Sequence, residues 1–322
     1  MNTIRKAMLA GAVLALGAGA GRAAEGPVSQ ETALEAKFDS RGDAFAALVG
    51  TNRLRRLAGG LRFTEGPVWY ARQACLVFSD IPADALYAWT ATGGVRVWRQ
   101  PSRNANGNAV DPDGNLVTCE HGSRRVTRTA ADGAVTVLAE RYGGKRLNSP
   151  NDVAVQKNGT LWFTDPPYGL KPGEQEQPAH YVFRLAPDGT LAMAAGDFDC
   201  PNGLCFAPAE DMLYVADSGK PHHVRRFRVK PDGTLEGGAV FATIDPGVPD
   251  GMRTDAEGRL FTTAGDGVWV FAPDGALLGK ILVPETPANC AFGGADGRTL
   301  FITARTGLYA IALNTSGWRA RR

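Results

Sequence analysis

Six side chains that can bind a cation or move a proton stand in one register along this sequence. Each precedes, by ten or eleven residues, a leucine in an apolar run; the six are Glu65, Asn106, Asn151, Asn202, Asp250 and Asn289. Turn formation is an alternative explanation for the Asn and Asp residues, but not for Glu65. Carboxylate and amide oxygens are the ligands that Ca²⁺ prefers, whereas Zn²⁺ favours nitrogen or sulfur and Mg²⁺ keeps most of its waters. Glu65, Asn151, Asn202 and Asp250 together would bring a formal charge of −2 to a dication.

The leucines belong to a strand-like run that recurs along the chain. They are Leu76, Leu116, Leu161, Leu213, Leu260 and Leu300, separated by 40, 45, 52, 47 and 40 residues. A second apolar run follows each of them, then a turn that is often Pro-Asp-Gly. The 40 Gly and 20 Pro among 322 residues disfavour long helices. Six such units predict an all-β fold, a six-bladed β-propeller with four-stranded blades. The ring would close when a strand near residues 54–57 pairs with the last blade.

A second acidic set lies four residues after four of the leucines; it comprises Asp80, Glu120, Asp165 and Asp217. A turn in the middle of an antiparallel hairpin brings its two ends together. The first strand of each propeller blade lines the central channel. We therefore expect both polar sets to meet at one mouth of that channel.

The start of the chain is typical of a secretory signal. Arg5 and Lys6 precede an uncharged run over residues 7–20, and small residues suitable for cleavage follow. We predict a signal peptide over residues 1–23, an N-terminal lead-in over 24–52 and the propeller catalytic domain over 53–322. The protein would be exported, either periplasmic or secreted, with no membrane association after cleavage. Five cysteines are an odd number; the apolar runs around four of them favour burial, and a local Cys200–Cys205 pair is the alternative.

The charge balance excludes some classes of function. Lys and Arg number 35 against 33 Asp and Glu, a formal net charge of +2, which argues against a nucleic-acid partner. The sequence contains no phosphate-binding loop and no dinucleotide fingerprint. Its glycines fall mostly in the turns between strands. The predicted partner is a small molecule, and the protein would be a monomer or a small homo-oligomer.

Several long motifs resemble the SMP-30/gluconolactonase/luciferin-regenerating-enzyme-like family, with the bacterial gluconolactonases as the best match. The resemblance covers roughly residues 38–313. Its motifs are FTEGPVW (63–69), EHGSRRV (120–126), LNSPNDV (147–153), FTDPPYG (163–169), PNGL (201–204), ADS (216–218) and PDGM (249–252).

The resemblance implies a six-bladed propeller with one catalytic divalent cation in the channel. Its ligands would be Glu65, Asn202 and Asp250, with Asn151 as a fourth ligand or a substrate contact. Ca²⁺ is the expected cation, with Zn²⁺, Mn²⁺, Mg²⁺ and Fe²⁺ as alternatives. Asp250 stands at the position that the family assigns to proton transfer. Arg146 stands where related lactonases place a substrate-binding arginine.

Three further side chains are predicted substrate contacts. His121 follows Glu120 at the predicted channel mouth, and Asp165 and Tyr168 lie in a Pro-Pro loop. A purely structural role is the alternative for each of them.

The predicted reaction is the ring-opening hydrolysis of a sugar lactone, such as gluconolactone, to the aldonic acid. The cation would polarise the carbonyl, and Asp250 would handle the proton of the attacking water. One alternative is hydrolysis of other lactones or phosphotriesters on the same scaffold. The other is a binding propeller without enzymatic activity, in which Ca²⁺ serves as a structural plug.

Overall fold

The computed structural model describes residues 30–50 and 52–319, so the predicted signal peptide lies outside the described residues. The N-terminal segment contains β1 (Thr32–Leu34), β2 (Lys37–Ser40), α1 (Asp43–Val49) and β3 (Leu54–Ala58). Blade 1 contains β4 (Thr64–Tyr70), β5 (Cys75–Asp80), β6 (Ala85–Thr90) and β7 (Gly94–Arg99), with a 3-10 turn at Ala71–Gln73. Blade 2 contains β8 (Ala105–Val110), β9 (Leu116–Glu120), β10 (Arg125–Thr129) and β11 (Val135–Ala139).

A short hairpin of β12 (Arg141–Tyr142) and β13 (Lys145–Arg146) leads into the second half of the ring. Blade 3 contains β14 (Val153–Val155), β15 (Leu161–Asp165), β16 (His180–Leu185) and β17 (Leu191–Phe198). Blade 4 contains β18 (Pro201–Phe206), β19 (Met212–Asp217), β20 (His223–Val229) and β21 (Leu235–Thr243). Blade 5 contains β22 (Met252–Thr254), β23 (Leu260–Thr263), β24 (Gly267–Phe271) and β25 (Leu277–Leu282). Blade 6 contains β26 (Pro287–Gly293), β27 (Thr299–Ala304) and β28 (Gly307–Ala312).

The predicted six-bladed propeller is confirmed, including the way in which its ring closes. β3 pairs antiparallel with β28 and so supplies the outer strand of blade 6. The lead-in adds two strands that the repeat did not predict. β1 extends blade 6 beside β3, and β2 extends blade 5 beside β25, so each of these sheets has five strands. The described residues contain no helix long and apolar enough to cross a membrane.

Aromatic and aliphatic side chains fill the space between neighbouring blades. Trp69 of blade 1 stacks on Phe301 of blade 6 with ring centroids 5.8 Å apart and an interplanar angle of 9°. The Pro-Asp-Gly turns join the strands without backbone strain, because Gly233 adopts φ 78° while the Asp232 carboxylate accepts the amide hydrogen of Thr234.

All five cysteines are free, and four of them are buried as predicted; Cys200 is half-buried.

The inner strands of the six blades present the polar register to the channel. In blades 1, 2, 4 and 6 the pairing of the inner strand shifts register at the ring residue, at Glu65–Val68, Ala105–Asn108, Pro201–Leu204 and Pro287–Asn289. A β-bulge bends its strand and redirects side chains, so these shifts turn the polar residues inward. In blades 3 and 5 the inner strand begins two residues later, and Asn151 and Asp250 lie in the loops just before it.

Candidate active site

The six register residues form a ring at one end of the channel, and hydrogen bonds join several of the neighbouring side chains. The bonds run from blade to blade. Asn106 Nδ2 donates to Asn151 Oδ1 at 2.7 Å, and Asn151 Nδ2 donates to Asn202 Oδ1 at 2.6 Å. Asn202 in turn hydrogen-bonds the Asp250 carboxylate. Asn289 Nδ2 donates to Glu65 Oε2 at 3.0 Å. The four predicted ligands therefore lie together, as the sequence register indicated. We call this set of six residues the polar ring.

Glycines next to the polar ring allow its members to approach each other. A Cβ on Gly203 would lie 2.2 Å from the backbone oxygen of Asp250, and one on Gly251 would lie 1.9 Å from Asn289 Cγ. Real Cβ atoms do not come so close to other heavy atoms, so a side chain at either position would push the ring apart. The glycine that follows a ring residue thus serves close packing as much as turn formation.

Three carboxylates share this end of the channel. Glu65 is 4% exposed, and burial together with repulsion from Asp152 raises its pKa to about 7. Desolvation, followed by repulsion from Glu65 and Asp152, holds the pKa of Asp250 well above its usual range. Burial also raises the pKa of Asp152, which the Arg253 guanidinium opposes. Each ionised form is therefore penalised here, and a bound cation would relieve the penalty.

Asp152 and Arg253 also belong to this site, although neither stands in the predicted register. Arg253 Nη1 lies 3.8 Å from Asp152 Oδ2, and Asn289 Nδ2 lies 3.4 Å from the same oxygen. Asp152 carried a sequence signal, because the position after a ring residue is glycine in four of the six units and is acidic only here. Arg253 carried none, since only the three-dimensional crossing of the channel brings it to Asp152.

Two predicted substrate contacts lie against the polar ring. His121 is 6% exposed, and its Nε2 lies 3.2 Å from both Asn106 Nδ2 and Asn151 Oδ1. Burial lowers the pKa of His121 to about 4, against the effect of the hydrogen bond with Asn151, so the His121 imidazole is neutral at pH 7. The Tyr168 hydroxyl accepts a hydrogen bond from Asn202 Nδ2 at 3.4 Å, and the Tyr168 side chain is 48% exposed. Tyr168 can therefore reach a ligand above the ring.

Arg146 and Asp165 do not contact the polar ring. Arg146, on β13, donates from Nη2 to the carbonyl of Ser123 at 3.1 Å. Asp165 is fully buried, and its Oδ2 accepts the amide hydrogen of Asn148 at 2.7 Å. The structure therefore does not support substrate contact for Asp165, because its carboxylate anchors the loop that carries Asn151.

The second acidic set also differs from expectation. All four members end the second strand of their blades, as the hairpin geometry predicts, but Asp80, Asp165 and Asp217 accept hydrogen bonds from backbone amides. Asp80 accepts the amide hydrogens of Arg62 and Phe63 at 2.8 and 3.2 Å. Asp217 accepts those of Asp199 and Cys200 at 2.9 and 2.8 Å. These carboxylates hold the loops that lead into the inner strands.

Glu120, the remaining member of that set, is held in an ion-pair network. Its carboxylate lies 3.1 Å from Arg99 Nη2 and 2.8 Å from Arg125 Nε, and it is 1% exposed. The prediction of two polar sets meeting in the channel is therefore wrong for the acidic set. For the three aspartates the reason is geometric, because the end of the second strand lies beneath the incoming loop, whose unpaired amides bind the carboxylate. For Glu120 the arginine side chains take that place.

The polar ring fits a hard divalent cation better than a soft one. In the part of the chain that the structure describes, no three His, Cys, Asp or Glu side chains form a metal-binding group. The ring instead mixes carboxylates with amides, and each amide carbonyl that accepts one hydrogen bond keeps a second lone pair. Oxygen donors of this kind, beside carboxylates that repel one another, suit Ca²⁺.

The opposite half of the channel has different walls. It contains a cavity of about 510 Å³ lined by the inner strands of all six blades. Its apolar wall residues include Val68, Val110, Val155, Leu204 and Phe206. We call this the far cavity. Arg253 lines it as well, and so lies at the boundary between the two halves.

The C-terminal segment completes the far cavity. Gly317, Trp318 and Arg319 line it. The Gly317 amide donates to the carbonyl of Gly297 at 3.1 Å, and Lys157 Nζ lies 5.3 Å from the centre of the Trp318 ring. The segment thus joins blades at the end of the channel away from the polar ring.

Comparison with known proteins points to one family. Residues 63–306 match the model of the SMP-30/Gluconolactonase/LRE-like region. A gluconolactonase of Zymomonas mobilis is 34% identical over 310 residues, which cover 87% of this chain and 86% of the relative. A solved structure of a gluconolactonase from Xanthomonas campestris is 41% identical, with a TM-score of 0.82 over 88% of this chain and 97% of that one. A calcium-binding protein, regucalcin from Agrobacterium tumefaciens, shares the fold at 23% identity and a TM-score of 0.68, covering 80% of this chain and 92% of that one.

Proposed function

Because the chain belongs to the SMP-30/gluconolactonase/LRE-like family, we propose that it hydrolyses sugar lactones at the polar ring. The chain acts as a hydrolase of carboxylic esters, and gluconolactone is its model substrate. One observation carries the proposal: Glu65, Asn151, Asn202 and Asp250 converge from four blades on one end of the channel. The identities of 34% and 41% to two gluconolactonases, over 87% and 88% of this chain, support the lactone as substrate.

We propose that Glu65, Asn202 and Asp250 hold one divalent cation, with Asn151 as a fourth ligand or a contact to the substrate. Ca²⁺ is the favoured cation because the donors are oxygens. When bound, the cation supplies Lewis-acid stabilisation of the negative charge that develops on the lactone carbonyl oxygen. Asn106 and Asn289 fix the amide and carboxylate orientations through the ring hydrogen bonds.

Asp250 is proposed to accept the proton of the attacking water. Desolvation by burial, followed by repulsion from Glu65 and Asp152, raises the pKa of Asp250, and a neighbouring cation would lower it again. Asp250 is half-buried, so part of the residue is accessible to water. The proton would then pass to the alkoxide that leaves when the ring opens.

Tyr168 and His121 are proposed to contact the hydroxyl groups of the sugar. Tyr168 presents its half-exposed side chain beside Asn202, and neutral His121 offers a ring nitrogen beside Asn151. Arg146, on the short hairpin between blades 2 and 3, is proposed to contact the substrate after leaving the Ser123 carbonyl. The N-terminal sequence leads us to propose export to the periplasm or the medium.

The test is a panel of substrates whose hydrolysis is followed by acid release in a pH-stat, in the presence of about 1 mM CaCl₂. The panel contains D-glucono-δ-lactone, a pentonolactone, an N-acyl homoserine lactone and a phosphotriester. We expect the sugar lactones to turn over at least about 100-fold faster than the other compounds. A phosphotriesterase would hydrolyse the phosphotriester fastest, and a general lactonase would hydrolyse the homoserine lactone as fast as the sugar lactones. Absence of turnover on every compound, with retained calcium binding, would indicate a binding propeller.

A further inference from the structure

One charged pair lies directly beneath the polar ring and is explained by neither blade packing nor the turns. Asp152 comes from blade 3 and Arg253 from blade 5, so the pair bypasses blade 4 and crosses the channel. Their side chains are 2% and 20% exposed. Space for the Asp152 carboxylate exists because its neighbour is Gly107, where a Cβ would lie 2.5 Å from Asp152 Oδ1.

The pair is joined to a proposed ligand by a shared donor. Asn289 Nδ2 lies 3.0 Å from Glu65 Oε2 and 3.4 Å from Asp152 Oδ2. The orientation of the Glu65 carboxylate therefore depends on where Asp152 lies. Arg253 in turn approaches Asp152 from blade 5, with its Nη1 3.8 Å from Asp152 Oδ2.

The four charged side chains around the proposed cation site set its formal charge. With the carboxylates ionised, Glu65, Asp152 and Asp250 bring −3, and Arg253 reduces the sum to −2. That sum matches a dication. Without Arg253 the same site would carry −3, and without Asp152 it would carry −1.

We infer that Asp152 and Arg253 are positioning residues that set the charge of the cation site and orient Glu65, so that the site selects a dication over a trication. This inference rests on the proposed function, because it assumes a cation at the polar ring. Coulomb energy scales with the product of the charges, so a change at the pair acts about 1.5 times as strongly on a trivalent ion as on a divalent one. Cation preference, and not stability alone, therefore reports on the pair.

The experiment measures the affinities of metal-free full-chain protein for Ca²⁺ and Tb³⁺ by isothermal titration calorimetry. Tb³⁺ takes oxygen ligands as Ca²⁺ does, with one more charge. Arg253→Met should shift the ratio of affinities towards Tb³⁺ by about tenfold or more, and Asp152→Asn should shift it towards Ca²⁺ by a similar factor. The double variant restores −2 and should return the ratio to within about threefold of the wild type. Arg253→Lys keeps the charge and should stay near the wild-type ratio.

A matched ion pair outside the ring serves as control. Asp255 and Arg259 lie 2.6 Å apart with side chains 0% and 19% exposed, nearly the same burial as the pair beneath the ring. Asp255→Asn and Arg259→Met should lower the melting temperature and leave the ratio of affinities unchanged.

The failures are distinguishable. If the wild type binds neither cation, the proposed metal-dependent function fails, and this inference fails with it. If the wild type binds Ca²⁺ but Arg253→Met and Asp152→Asn leave the ratio within about twofold, only the inference about the pair is overturned. The same holds if the ratio moves but the double variant does not restore it. A variant that does not fold is replaced by Arg253→Gln, for which the same shift towards Tb³⁺ is required.

Discussion

The two halves of the central channel are built from the same six inner strands, yet they carry opposite chemistry. At the start of the strands the side chains are carboxylates and amides, linked from blade to blade by hydrogen bonds. Further along the same strands the walls are mostly apolar and enclose the far cavity of about 510 Å³. Arg253 lies between the halves, lining the cavity while its guanidinium approaches Asp152.

The difference comes from local backbone geometry. The polar ring lies at register shifts or just before the strand begins, where side chains turn inward and adjacent glycines let them meet. Beyond those shifts the strands pair regularly, so their side chains alternate between the channel and the blade interfaces. One strand therefore supplies both a site and a scaffold, and variants in the two halves should have different effects.

The largest expected effect is on turnover, from Asp250→Asn. The substitution keeps the size of the side chain but removes the proposed base and one negative ligand, so kcat for gluconolactone should fall by about 10²–10⁴-fold. Asp113→Asn is the matched control, because Asp113 is exposed and lines the far cavity. It should retain wild-type turnover. An Asp250→Asn enzyme with full activity and an unchanged circular dichroism spectrum would remove Asp250 from the mechanism.

A second effect concerns stability and pH at a loop of the ring half. Burial raises the pKa of Asp165 from 3.8 to about 7, against hydrogen bonds from the amides of Asn148 and Ser149. Below pH 4 the Asp165 carboxyl is protonated in both the folded and the unfolded chain, so it causes no loss in the free energy of unfolding there. Between pH 4 and 7 the unfolded chain ionises first, so the free energy of unfolding should fall by about 4 kcal/mol, since each pKa unit corresponds to about 1.4 kcal/mol.

Urea unfolding across this pH range measures the effect. Asp165→Asn cannot ionise and keeps an acceptor for Asn148, so it should lack this part of the decline. If the difference in unfolding free energy between the wild type and the variant is constant with pH, the burial argument for Asp165 is wrong.

A third effect tests the close packing of the ring. A methyl group on Gly203 would lie 2.2 Å from the Asp250 carbonyl oxygen, so Gly203→Ala should displace Asp250. We expect a loss of about 1–3 kcal/mol in stability and a fall of about tenfold or more in kcat/KM. Gly93→Ala, in the exposed turn between β6 and β7, meets only the Thr90 hydroxyl and should change neither by much. Equal behaviour of the two variants would contradict the packing role.

The smallest effect is expected at the far cavity. Trp318 packs partly against the core and interacts with Lys157 and Arg319. Trp318→Ala should therefore lower the free energy of unfolding by about 1 kcal/mol and leave kcat and KM for gluconolactone unchanged. A large change in kcat would show that the far cavity takes part in the reaction and would break the division between the halves.

Much of the fold and of the polar ring could be predicted from the sequence, because the spacing of the repeated apolar runs and turns reflects the spacing of the strands. The six-bladed fold, the closing strand near Leu54 and the inward register of Glu65, Asn202 and Asp250 all follow from that spacing. The backbone contacts of Asp165 could not be predicted in this way, because the spacing places Asp165 at the correct end of a hairpin but does not show the amides that bind it. Arg253 was missed for the converse reason: its role depends on a contact across the channel between non-adjacent blades.

The most direct test of the account is the dependence of turnover on the cation. Full-chain protein is stripped of metal with a chelator and dialysed, and its initial rate on D-glucono-δ-lactone is measured above the spontaneous rate before and after addition of Ca²⁺. We predict that the rate falls to the spontaneous level while the circular dichroism spectrum is retained, and that Ca²⁺ restores it in wild type but not in Asp250→Asn. Full turnover by the metal-free protein would contradict the central claim.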